Sequence, residues 1–125
     1  MVKSIISMIC VAIILTAGAL YESSFINRQF TELDQVLEVL YDKVEAQTAV
    51  KEDVLSVQEN WINKKKYLHI FIPHTEIKEM DLWLSEAVTL VEDEEWADAI
   101  SKVEVLRELT EQIPKTFTVR IENIL

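Results

Sequence analysis

The stretch Ile26-Asn27-Arg28-Gln29-Phe30-Thr31-Glu32-Leu33-Asp34-Gln35-Val36-Leu37-Glu38-Val39-Leu40-Tyr41-Asp42-Lys43-Val44 decides the fold. Ile26, Phe30, Leu33, Leu37, Leu40 and Val44 recur at intervals of 4-3-4-3-4, which lays them along one face of an α-helix. A half-buried strand would instead alternate with period two. Downstream, Val50, Val54, Val57, Trp61, Leu68 and Phe71 form a second helical series, with Lys64 its one polar member. The two series slip by one residue across Ala46–Ala49. This predicts a turn there, although Gln47-Thr48 offers neither Gly nor Pro, and one long helix with a stutter is the competing reading.

Pro73 should close the second helix. A third is predicted from Thr75 as N-cap, with Glu76 in its first turn and Ile77, Met80, Leu84, Ala87 or Val88, and Val91 on its buried face. Glu92-Asp93-Glu94-Glu95 reads as a turn and a new helix start. Ala99, Val103, Leu106, Thr110 and Ile113 then supply a fourth buried face. Pro114 should end or kink that helix, with Phe117, Ile121 and Ile124 packing back as a short terminal segment.

Upstream lies a different kind of segment. No charged residue occurs from Ser4 to Tyr21, and 18 residues of helix cover roughly 27 Å, close to a hydrocarbon core of about 30 Å. Lys3 and the α-amino group precede the segment and Glu22 follows it, so the positive-inside rule puts the N-terminus in the cytoplasm and the rest outside; Arg28 alone counts against this. The predicted organisation is therefore a membrane anchor over 1–21 and an extracytoplasmic acidic bundle over 22–125. Ala17-Gly18-Ala19 also matches a small-x-small cleavage site, which keeps a signal peptide cut at Ala19, and a secreted product, as alternatives.

Composition agrees with an all-α class: a transmembrane helix followed by an antiparallel bundle of about four helices. One Gly and two Pro in 125 residues leave no material for a glycine-rich phosphate loop or a set of tight hairpins. A single cysteine, Cys10, excludes an internal disulfide framework and multi-cysteine zinc sites. Residues 22–125 contain all 22 acidic residues and 11 of the 12 basic ones, a formal −11 that disfavours nucleic acid and anionic surfaces. About 104 residues suffice for one core, so this part is expected to fold alone.

Candidate chemistry is sparse. His69 and His74, five residues apart and separated by Pro73, do not share a helix face as i and i+4 ligands do. Cys10 lies inside the apolar segment, no serine sits in a nucleophile-elbow context, and the carboxylates recur as a solvated face. The sequence predicts no enzyme, no cofactor and no metal. Trp61, Trp83 and Trp96 read as core or hairpin-packing residues, and any of them left exposed is a candidate partner anchor, together with His74 and Glu76. Lys64-Lys65-Lys66, the one dense basic run, falls roughly 13 Å above the membrane end of the first helix and is a candidate headgroup contact.

The run Trp61 … His74-Thr75-Glu76-Ile77 … Ile113-Pro114 … Asn123-Ile124-Leu125, placed after one N-terminal apolar segment, resembles a bacterial family of small single-pass proteins with a helical domain of unknown function. The chain departs from that family at Pro73, where an acidic residue precedes the histidine. The resemblance implies the architecture and no activity. Taken together, the expectation is a non-enzymatic interaction or accessory module on the outer face of the cytoplasmic membrane. Its partners would be the bilayer and another membrane or envelope protein, with no nucleic acid. A small-ligand-sensing helical module, which would need a partner for its output, is the alternative.

Overall fold

The computed structural model describes the backbone of residues 1–124 and the side chains among them except those of Arg120, Ile121, Glu122 and Ile124. The expected packing of Ile121 and Ile124 therefore lies outside the described residues. Four helices follow one another: α1 (Val2–Glu45), α2 (Lys51–Leu68), α3 (His74–Glu92) and α4 (Trp96–Ile124). Each packs on its neighbours in sequence, and α4 closes the ring on α1, which is the up-down-up-down arrangement that short connections favour.

The buried face of α1 consists of Ile26, Phe30, Leu33, Leu37, Leu40 and Val44, all six periodic residues. Val54, Val57, Trp61, Lys64 and Leu68 face them from α2, and Ile77, Met80, Leu84, Ala87 and Val91 from α3. From α4 come Ala99, Val103, Leu106, Thr110, Ile113 and Phe117. Trp61 is the largest side chain in this core. It is fully buried, its ring lies 6.3 Å from that of Phe30, and its Nε1 donates to Asp81 Oδ1 at 2.8 Å.

The helix ends are less regular than their middles. α1 closes at Ala46 with Thr48 N–H donating to Lys43 O and Gln47 N–H to Val44 O, a Schellman motif in which Gln47 takes φ 59°. Glu94, at φ 55°, plays the same part after α3, where Glu95 N–H reaches Leu90 O. The slip in apolar phase is thus a true turn, and the single-long-helix reading falls. Val50 stands at the N-cap of α2, and its N–H donates to Asp53 Oδ2. α2 ends at Leu68, before Pro73, so Phe71 lies in the connection and Val50 outside the helix. α3 starts at His74 with Pro73 as N-cap, one residue pair earlier than the Thr75 cap expected. The carbonyl of Pro73 accepts from Glu76 and Ile77, and its missing N–H leaves no donor unpaired there. α4 continues past Pro114, which neither ends it nor starts a separate segment.

α1 extends well beyond the bundle. Its first half has an 18-residue window of mean hydropathy 2.2, none of it buried, so it is long and apolar enough to cross a membrane. Thr16, polar within that half, donates its hydroxyl back to Ala12 O at 2.8 Å.

Two outcomes follow from this packing. Trp61→Ala should destabilise the bundle by about 3–5 kcal/mol in denaturant melts, and a loss below about 1 kcal/mol would contradict its central place. The second concerns acid. Asp53 ties the first hairpin together, because the Lys43 ammonium at 2.9 Å and then the Val50 N–H hold its carboxyl below the ordinary carboxylate range. A lowered folded pKa contributes stability that is complete above about pH 4.5 and is lost as pH falls through the folded value. Urea midpoints of Asp53→Asn should therefore lie below those of the parent at neutral pH, with the gap closing in acid; a gap independent of pH would contradict the assignment.

Candidate functional site

Three successive lysines, Lys64 to Lys66, diverge because each helical step turns the side chain by about 100°. Lys64 points into the bundle, where its side chain is 9% exposed and its Nζ donates to Glu32 Oε2 at 2.8 Å and Gln29 Oε1 at 2.9 Å. The hydrogen bond from Lys64, then its charge, holds the Glu32 carboxyl below its ordinary pKa. Lys65 turns to α3 and meets Asp81 Oδ2 at 3.0 Å, beside the Trp61 indole. Lys66 alone of the three is exposed. Two of the three candidate headgroup contacts are thus engaged between helices.

The candidate anchors also separate. Trp61 presents no surface. Trp83 and Trp96 are half-buried against the core, and Lys102 Nζ lies 4.3 Å from the Trp83 ring centroid while pairing with Glu86 at 3.4 Å. His74 is exposed in the first turn of α3, Glu76 is half-buried nearby, and His69 Nδ1 lies 3.2 Å from Lys65 O. The structure brings none of the tryptophans together with His74. Among the described residues, no group of three His, Cys, Asp or Glu side chains is placed to hold a metal ion.

A site that the sequence reading missed lies between α1 and α4. An open groove of about 570 Å³ runs along this seam past Asp34, Tyr41, Glu104, Arg107, Glu111 and Lys115. Arg107 crosses it: its Nε donates to Asp34 Oδ1 at 3.2 Å, and its guanidinium carbon sits 5.7 Å from the Tyr41 ring centroid. The Tyr41 hydroxyl donates to Glu104 at 3.3 Å. The hydrogen bond to Asp34 raises the Arg107 pKa further, and partial burial, then the Glu104 charge, pushes the Tyr41 phenol up. At neutral pH the groove is therefore a fixed array of charges with a neutral phenol. That arrangement suits recognition of a polar, charged segment. The available signal was positional: Asp34, Tyr41 and Arg107 each stand next to a core residue of their own helix.

A second groove, of about 470 Å³, passes between α1 and α2 along Val36, Val39, Lys43 and Asn60, whose Oδ1 accepts no hydrogen bond from the described residues.

Comparison with curated proteins finds no match, and neither does comparison with solved structures. A family model, described as a domain of unknown function, matches residues 20–124, which takes in the whole bundle and begins where the apolar half of α1 ends. The chain belongs to that family, the domain of unknown function DUF4363.

Proposed function

We propose that this protein is a non-enzymatic accessory module, anchored in the cytoplasmic membrane of a bacterium by the first half of α1, with its bundle on the outer face. The observation that carries this reading is the division of α1. One continuous helix has an apolar half with no residue buried among the described residues and a second half that forms a wall of the core. A helix apolar all round and unpacked needs another apolar surrounding, and a bilayer supplies it. Lys3 before the span and Glu22 after it favour the outward orientation.

The groove between α1 and α4 is the surface for a partner. Asp34, Glu104, Glu108 and Glu111 outnumber Arg107 and Lys115 along it, which favours a partner segment carrying basic side chains. Its charged groups already engage one another, which supports binding over catalysis.

Topology is the direct test. Glu94→Cys, at the far tip and in a Cys10→Ser background, should react with a membrane-impermeant maleimide on intact spheroplasts and stay with the membrane after an alkaline wash. Reaction only after lysis would reverse the orientation. Release into the medium, with an intact mass lacking residues 1–19, would replace anchoring with secretion.

A further inference from the structure

The end of the bundle next to the span is built unlike the rest. Ser23 and Thr118 hydroxyls meet at 3.3 Å, the Phe25 and Tyr67 rings at 6.3 Å, and the Phe71 and Phe117 rings at 6.1 Å. These contacts put the start of the bundle portion of α1, the α2–α3 connection and the last turns of α4 at one level. Phe25 is only four residues past Tyr21, about 6 Å along the helix, so this level lies just beyond the apolar half. Ile70 projects from the connection 71% exposed, Val119 from α4 at 53%, and Tyr67 at 47%. Large apolar side chains are normally scattered singly over a surface. Here three stand at the one level where α1 leaves the bundle, while Val39, Val50, Leu55, Ile62 and Leu82 are spread along the rest of the helices.

Charge is sorted along the same axis. Taken to the level where Lys64 meets Glu32, Lys65 meets Asp81 and Lys115 meets Glu111, the segments at this end, residues 22–32, 64–81 and 111–124, carry seven basic and seven acidic residues. The remainder of the bundle carries four basic and 15 acidic residues. A chain that is acidic as a whole thus has one end of balanced charge, and that end adjoins the helix that is apolar enough to span.

We infer that this end is a second membrane-contact surface, seated on an anionic phospholipid bilayer. Ile70, Val119 and Tyr67 enter the interfacial layer, and Lys66, Arg28 and Lys115 lie at headgroup level around them. The inference rests on the anchored reading above, since continuity with α1 is what brings the bilayer to this face. Aromatic residues with a polar tip, such as Tyr67 and Tyr21, suit the boundary between hydrocarbon and water. Basic side chains near an anionic surface add attraction that salt screens within a Debye length of about 10 Å. The contact would hold the bundle upright on its anchor, with the acidic tip at Glu92 to Glu95 turned away.

Full-length chains carrying one environment-sensitive fluorophore, in a Cys10→Ser background, test this after reconstitution into phosphatidylcholine vesicles with and without phosphatidylglycerol. The label is placed at Leu15, Ile70 or Leu55, all exposed positions where substitution spares the core. Lipid-borne quenchers should act strongly at Leu15 and several-fold more at Ile70 than at Leu55. The Ile70 signal should rise with phosphatidylglycerol and fall with added salt. Strong quenching at Leu15 with equal, weak quenching at Ile70 and Leu55 would overturn the second contact and leave the anchor standing. A Leu15 label that escapes quenching would overturn the anchor and this inference with it. Self-association through Ile70, seen as energy transfer between labelled chains without lipid quenching, would assign the face to a second copy and also overturn it.

Discussion

α1 has to satisfy two surroundings with one uninterrupted backbone. Over its first half no side chain is buried among the described residues, and over its second half a stripe of six side chains is withdrawn into the core. An α-helix pairs its own backbone groups wherever it goes, so it can pass from one medium to the other without exposing an unpaired carbonyl or amide. No Gly or Pro interrupts it between Ala19 and Glu45. The other three helices take their positions from this one. α2 and α4 flank its buried stripe, and α3 closes the ring opposite.

Polar pairs fix the register that apolar packing leaves loose. Lys64 with Glu32 and Gln29 locks α2 to α1, Asp81 gathers Trp61 and Lys65 between α2 and α3, and Arg107 with Asp34 spans α4 and α1. An ammonium that is almost wholly withdrawn from water tolerates few positions, because sliding one turn would leave it without its acceptors. Sliding α2 along α1 would break the pair with Glu32 and Gln29 together. These contacts thus favour one alignment of the helices over neighbouring ones, beyond whatever they add to stability.

The faces of the helices were legible in the sequence because burial on a helix repeats with the pitch of the helix. All six residues predicted for α1 and the five principal ones for α4 are buried. The ends were legible only in part. Gln47 and Glu94 adopt a left-handed conformation usually left to glycine, so no glycine advertised either turn. Thr75 looked like a cap, but Pro73 supplies the first acceptor carbonyl and α3 begins before the threonine. Pro114 is carried inside α4, a helix packed along α1, at the loss of one backbone hydrogen bond.

Site residues were harder to read, for a reason of geometry. A run of three lysines looks like a patch in a linear sequence, yet successive helix positions face different neighbours, and only Lys66 remains on the surface. The groove of Asp34, Tyr41 and Arg107 and the apolar end at Ile70 arise from helices distant in sequence, so neither had a local motif to announce it. Net charge concealed the sorting of charges for the same reason, since a formal −11 averages an end of balanced charge with an acidic remainder.

The account stands on α1 being one rigid helix across the level of Glu22. Spin labels at Leu15 and Glu38, 23 residues apart, read this in bilayer nanodiscs by the dipolar distance between them. A continuous helix predicts a single narrow distribution centred near 35 Å, from about 1.5 Å per residue. A broad distribution, or a centre many ångströms shorter, would show a hinge between span and bundle and would contradict the central claim.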